Sequence, residues 1–290
     1  MNNFNGGEPL VRKSPSSVAE LRDKAFAQRR FRLSFLYSVP IGALGGLIGL
    51  GGAEFRLPVL AGTLGYQVRQ AVPLNLAVSL ITIVASLIIR AKTLSFGAVI
   101  ALLPVLLSLI AGAIVTAFFG ALMAGRLSNE QLERAILVLL VLIGVALTIE
   151  SFLPQTIPAL LPSALIWRIP AGILFGLAIG LVSSLLGVAG GEVIIPTLVF
   201  AFGADIKTAG TASLLVSLPT VFVGLVKYAS RGAFSDRSSL KNTVVPMGVG
   251  SVIGAFSGGL LVGLIPPSVL KFTLGSILNI SAFRVFHKKH

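Results

Sequence analysis

The stretch Gly49-Leu50-Gly51-Gly52-Ala53-Glu54-Phe55-Arg56-Leu57-Pro58 decides how the rest of the chain is read. It separates two apolar runs, 35–48 and 57–64. Three glycines within four residues make a poor helix interior, because each has the most backbone entropy to lose. A Glu and an Arg follow at once, in a segment otherwise apolar enough for lipid. The device recurs as Gly187-Val188-Ala189-Gly190-Gly191-Glu192-Val193-Ile194-Ile195-Pro196. At this offset of 138 residues Gly49, Gly52, Glu54 and Pro58 fall on Gly187, Gly190, Glu192 and Pro196. A glycine break beside an intramembrane carboxylate, present twice, carries most of the functional information in the sequence.

Composition sets the surroundings. The 290 residues are 55% hydrophobic and 11% charged, against roughly 25% charged in a soluble domain, and the mean hydropathy is +0.96. Long apolar segments without period-two alternation indicate an all-α integral membrane protein rather than a β-barrel. The absence of cysteine excludes disulfides, thiolate metal sites and cysteine redox chemistry. Both histidines, His287 and His290, lie in the C-terminal tail, which excludes a buried histidine metal site or a Ser-His-Asp triad. The net charge of +13 is read as lysine and arginine holding cytoplasmic loops in place, not as a nucleic-acid signal. There is no Walker loop, HExxH or nucleophile elbow, and Gly-Leu-Gly-Gly follows a transmembrane run rather than a strand. No enzymatic activity and no cofactor are expected.

Along the chain, residues 1–33 form a basic N-terminal tail, expected on the cytoplasmic side against anionic lipid. Ser17 and Glu20 resemble a capping box for a short surface helix within it. The first transmembrane repeat, 34–152, holds a broken element at 35–65 and apolar runs at 71–89, 96–123 and 132–152. A proline-rich linker, 153–169, leads to the second repeat, 170–290. That repeat has a broken element at 171–202, runs at 209–226, 244–264 and 269–286, and a short basic tail. The fold expected is therefore two homologous halves, each with a glycine-broken element plus three transmembrane helices. Measured from residue 35, the first arm reaches only about 20 Å at 1.5 Å per residue, short of a ~30 Å hydrocarbon core. The element is then either a discontinuous helix or a re-entrant hairpin, shielded from lipid in both cases. The positive-inside rule places both termini in the cytoplasm under either topology. It does not choose between parallel and inverted halves; inverted repeats meeting at broken helices are a common transporter plan and are favoured here. Small residues recur every four positions at Pro104, Ser108, Gly112, Thr116 and Gly120, and at Pro246, Gly250, Gly254 and Gly258. Such seams suit close helix contact.

Glu54 and Glu192 are the first functional candidates, since a carboxylate within the bilayer is costly and marks a site by default. They are read as proton carriers, the neutral carboxyl being favoured by burial, or as caps on the positive end of the following arm. Arg56, whose counterpart is Ile194, offers a planar fork to an oxyanion; the plainer reading is snorkelling or pairing. Gly49, Gly51, Gly52, Gly187, Gly190 and Gly191 expose backbone N–H groups that can hold a small anion, or simply allow close packing. Asn75, Ser79, Thr82 and Ser86 share one helix face, with Ser213, Ser217, Thr220 and Gly224 as counterparts. Asn75, Ser79, Ser213 and Ser217 join the substrate-binding candidates as the lining of a hydrated path; hydrogen bonds between helices remain the other possibility.

The twofold glycine-to-proline block, 49–58 and 187–196, resembles that of the TauE/SafE sulfite exporter family, and the resemblance extends over roughly residues 34–286. It implies a secondary carrier that exports sulfite or a related small sulfur-containing anion, such as a sulfonate or thiosulfate, across the bacterial inner membrane. The chain departs from the family's usual run of glycines at Ala53 and Ala189. Joined to the residue reading, this gives a multi-pass carrier of a small anionic substrate, surrounded by lipid, with proton coupling and a homodimer as further expectations. The alternative is a carrier of a cation or divalent metal that uses the paired glutamates, against which Arg56 and the helix N-termini argue. A non-transporting scaffold would leave the duplicated breaks unexplained.

Overall fold

The computed structural model describes residues 15–262, apart from 94–96, 125, 127 and 153–158, and scattered positions beyond 262. Among the described residues there is helix and no strand, the form in which an apolar segment meets its own backbone hydrogen-bonding demand. In the first half, α1 spans Pro15–Ile48 and, after the glycine break, α2 spans Ala53–Pro58. A π turn, Val59–Thr63, continues α2, at the point where Pro58 withholds an N–H from the helical ladder. Then come α3 (Val68–Thr93), the short α4 (Gly97–Ala101), α5 (Leu103–Ala124) and α6 (Asn129–Ser151). The second half has α7 (Leu165–Leu186), the break, α8 (Gly191–Pro196) with its own π turn Thr197–Ala201, and α9 (Ile206–Ala229). It continues with α10 (Arg237–Ser239), a π turn Leu240–Val244, and α11 (Val245–Leu261). Among the described residues six helices are long and apolar enough to cross a membrane: Lys24–Ile48, Val68–Lys92, Leu103–Gly120, Leu165–Leu185, Ile206–Ala229 and Arg237–Leu261.

One boundary differs from expectation. The basic segment does not form a separate surface helix, since α1 runs through it without interruption from Pro15. Counted from Lys24, the first arm has 25 residues, about 37 Å of helix, and is long enough to span. The physical reason is that no strong breaker other than Pro40 stands between Pro15 and the glycines, so charge at one end of the helix was mistaken for its end. The tail before residue 15, residues 153–158 of the linker and most of the expected last helix at 269–286 lie outside the described residues. Where that last segment is described, Phe272 packs edge-on against Phe152 and Asn279 lies over Gly144.

The two halves are interlocked. The most extensive packing joins α1 to α11 and α5 to α7, so each half's first long helix lies on a helix of the other half. Both pairs run parallel. Gly250 lies by Phe35 and Ser38, Gly254 by Val39 and Ala43, and Gly258 by Ala43. In the second pair Ser108 lies by Gly172, Leu109 by Gly176 and Ala113 by Gly180. The glycine seams are therefore contact faces. At the centre, α3 and α9 run antiparallel: Arg90, near the end of α3, reaches Thr211 near the start of α9, while Leu76 lies over Gly224 near the end of α9. Large apolar side chains such as Leu36, Ile88, Leu107, Phe119, Leu174 and Leu260 point outward, as lipid contact requires.

Each broken element folds back on itself as a hairpin. Past the first break, Arg30, midway along α1, donates to the Leu64 carbonyl at 3.1 Å and to the Tyr66 hydroxyl at 3.3 Å. Past the second, the Leu160 and Leu161 amides donate to the Phe200 and Ala201 carbonyls at 3.0 and 3.1 Å. The first short arm thus returns alongside the middle of α1, and the second to the level at which α7 begins.

The seam sets the first expectation. A Cβ at Gly254 would overlap the Val39 carbonyl oxygen and stand 2.6 Å from the Ala43 amide nitrogen. Gly254→Ala should therefore destabilise the protein by the ~1–3 kcal/mol typical of overpacking. Gly62→Ala, with nothing within 4 Å of its Cβ, should change little. Thermal unfolding of the two purified variants in detergent checks this, and equal melting temperatures would show that the α1–α11 contact is not tight.

Candidate functional site

The two breaks meet. A Cβ on Gly51 would lie 3.2 Å from that of Ala189, and one on Gly191 would lie 3.0 Å from Leu50 Cα. The residues from Gly49 to Leu57 and from Gly187 to Glu192 are buried. Each short arm begins from a left-handed glycine, Gly52 at φ 73° and Gly190 at φ 84°, where any side chain would be strained.

Hydrogen bonds across the halves replace water at this broken backbone. Asn75 on α3 donates through Nδ2 to the Gly187 carbonyl at 2.7 Å and to the Ala53 carbonyl at 2.8 Å. Its counterpart at the 138-residue offset, Ser213 on α9, donates to the Gly49 carbonyl. Gly49 is in turn the counterpart of Gly187, so the two bonds are the same bond made twice. A second pair obeys the same offset. Arg90 donates to the Gly46 carbonyl at 3.1 Å and the Leu47 carbonyl at 2.8 Å, and Tyr228 donates to the Ser184 carbonyl at 3.0 Å. These satisfy the last carbonyls of α1 and α7, which have no partner within their own helices. At α1 the guanidinium also meets the negative helix end.

Arg56 is fully buried, and its fork is engaged by neighbouring polar groups. Nη1 donates to Asn75 Oδ1 at 3.3 Å and Ser79 Oγ at 3.0 Å. Nη2 donates to the Gly51 carbonyl at 3.2 Å, Thr82 Oγ1 at 3.0 Å and Ser251 Oγ at 3.4 Å. Asn75, Ser79 and Thr82, whose shared face could equally have lined a path, thus bind this side chain and the breaks. Nε has no partner among the described residues.

Glu54 and Glu192 occupy the second positions of α2 and α8 and come together from opposite halves, within hydrogen-bonding reach of each other. Glu54 is fully buried and Glu192 is 3% exposed. No hydrogen bond from a donor among the described residues reaches any of their four oxygens, although backbone amides of Glu54, Glu192 and Gly190 lie near them. Arg56 acts on Glu54 through its charge without a hydrogen bond joining them. Of the seven buried side-chain polar atoms without a partner among the described residues, five belong to Glu54, Glu192 and Arg56. The unmet polar demand of the core is therefore concentrated at the breaks. Two carboxyl groups in contact, with no donor to hold them, cannot both be ionised at reasonable cost.

The site brings together Gly49, Gly51, Gly52, Glu54, Arg56, Asn75 and Ser79 of one half with Gly187, Gly190, Gly191, Glu192 and Ser213 of the other. Ser217 is buried on the same helix as Ser213. Sequence reasoning passed over Arg90, Tyr228 and Ser251. Arg90 and Tyr228 stand at the repeat offset, and that alignment was the available signal. Among the described residues no three His, Cys, Asp or Glu side chains converge as metal ligands would.

Residues 10–147 and 172–290 match the family model described as Sulfite exporter TauE/SafE. No curated protein and no solved structure matches the chain.

The crossed carbonyl bonds order the cost of removing each donor. Asn75→Ala withdraws a donor from each of the Gly187 and Ala53 carbonyls and an acceptor from Arg56, whereas Ser213→Ala withdraws one donor from Gly49. At ~1–3 kcal/mol per buried group left unpaired, Asn75→Ala should lower the melting temperature markedly more than Ser213→Ala. Equal losses in a detergent melt would mean that the two bonds do not bear on the breaks as described.

Proposed function

Since the chain belongs to the sulfite exporter TauE/SafE family, we propose that it is a secondary transporter exporting sulfite or a related small sulfur-containing anion, and that Glu54 and Glu192 couple this movement to protons. One observation carries the reading: two buried glutamates, one from each half, meet without donors beside a buried arginine at the point where both hairpins break. A group that must gain and lose a proton needs that lack of fixed partners, and a cap does not. Arg56 supplies the positive charge for the anion. Its free Nε is the first donor available, and the α3 hydroxyls hold the fork in place until cargo exchanges for them.

Several features support the topology favoured from sequence. The antiparallel pairing of α3 with α9 is the relation that inverted halves produce. The end of the helix array that carries Arg29, Arg30, Arg32, Arg69, Arg231 and Arg237 is the more basic one. On the positive-inside rule this end is cytoplasmic, in a bacterial inner membrane on the family reading.

The experiment is transport by the purified protein in liposomes, with sulfite, methanesulfonate, thiosulfate and a divalent metal compared side by side. The reading expects a sulfur anion to accumulate when a pH gradient is imposed and to stop when a protonophore collapses it. Uptake of the metal in place of all three anions would favour the cation alternative instead. Arg56→Lys keeps the charge but loses the planar fork. It should weaken anion binding by the ~1.5–3 kcal/mol of a hydrogen bond to a charged group, roughly ten- to a hundred-fold. Unchanged affinity by titration calorimetry would remove Arg56 from the site.

A further inference from the structure

We propose that the break cluster takes up one proton for each singly charged anion it binds, so that cargo and proton cross as an electroneutral pair. This rests on the carrier reading above and specifies its cargo: a monoanion rather than a dianion.

The argument is a count of buried charge. Among the described residues the buried charged side chains are Glu54, Glu192, Arg56 and Arg90. Arg90 stands apart, eleven residues along α3 from Ser79, roughly 16 Å at helical rise, and is offset by the negative end of α1. The cluster is then Arg56 and the two carboxyls. The helix ends cancel to first order, because each break sets one C-terminal end beside one N-terminal end. Around α2 pack α1, α3 and its π turn; around α8 packs α9 with its π turn. From these elements the charged groups that act on the carboxyls are each other and Arg56. The α3 and α9 faces contribute neutral Asn75, Ser79, Thr82 and Ser213.

With one proton between the carboxyls, the cluster and Arg56 sum to zero. A monoanion brought against Arg56 adds one negative charge to a site from which water is excluded, where uncompensated charge is severely penalised. One proton, taken from the aqueous phase onto the remaining carboxylate, restores neutrality. A dianion would need two protons, and the pair has room for one more.

The count also says what variants do. In Glu54→Gln or Glu192→Gln, the surviving carboxylate cancels Arg56 when the site is empty and is protonated when it is loaded, so one proton per anion persists. In the double variant Arg56 stands alone and the anion itself neutralises it, so net charge crosses with the cargo.

The test uses the full chain in liposomes with lumenal pyranine to count protons and with valinomycin plus a potassium gradient to impose a potential. The probes are sulfite at mildly acidic pH, where bisulfite dominates, methanesulfonate as a fixed monoanion, and thiosulfate as a dianion; protein-free vesicles give the leak. A tenfold potassium gradient drives a step carrying one net charge to about tenfold accumulation. Expected are one proton per monoanion, accumulation indifferent to the potassium gradient in the wild type and both single variants, and about tenfold dependence with no proton in Glu54→Gln/Glu192→Gln. Transport that follows the potassium gradient in the wild type, another proton count, or movement of thiosulfate alone overturns the inference while leaving the carrier reading intact. If no probe moves, both fall. Should the double variant fail to fold, the wild-type proton count and potential response decide the matter.

Discussion

Backbone that is broken inside an apolar environment must find hydrogen-bond partners in the protein, and here it finds them in the opposite half. Asn75 satisfies Gly187 and Ser213 satisfies Gly49. Without those two donors the glycine breaks would leave carbonyls unpaired where no water competes, at a cost of several kcal/mol each in hydrocarbon. Everything else about the core follows from keeping them in reach. The central helices α3 and α9 run antiparallel so that each faces the other half's break. The framing pairs α1–α11 and α5–α7 pack through glycine seams close enough to hold that arrangement.

The site proposed for transport lies where this economy of donors stops. Arg90, Tyr228, Asn75 and Ser213 are all assigned to carbonyls, and the fork of Arg56 is assigned to three side chains of α3, to Ser251 and to Gly51. Glu54 and Glu192 receive nothing. Apart from the Ser34 and Ser86 hydroxyls, the unpartnered buried polar atoms among the described residues belong to Glu54, Glu192 and Arg56. Unsatisfied buried polar groups in an otherwise well-bonded core are where transport chemistry is to be sought.

Much of this was legible before any coordinates. The breaks, the glutamates, Arg56 and the 138-residue offset stand in the order of residues, because glycine, proline and intramembrane charge each carry local physical meaning. What was not legible depends on where the chain goes afterwards. No periodicity says whether the arm after Gly52 continues or turns back, and the hairpin is fixed by Arg30 reaching Leu64, a contact across 34 residues. The start of α1 was misplaced because hydropathy marks the lipid boundary of a helix and not the helix itself. The role of the Asn75–Ser79–Thr82 face could not be decided from its spacing, since a path and a clamp on Arg56 demand the same residue types. Arg90 was passed over in the sequence; its duty to the carbonyls of another helix needed the fold.

The crossing of bonds between halves also has a consequence for how the chain is made. The ribosome delivers Gly49 long before Ser213, and α1 long before α11. During that interval the first break has no partner for its carbonyl, and the seam of α1 has nothing to pack against. A half-made chain therefore has an open backbone that only later sequence can close. Such dependence on distant contacts slows folding. It also means that either half, synthesised alone, would be an incomplete object rather than a smaller version of the whole.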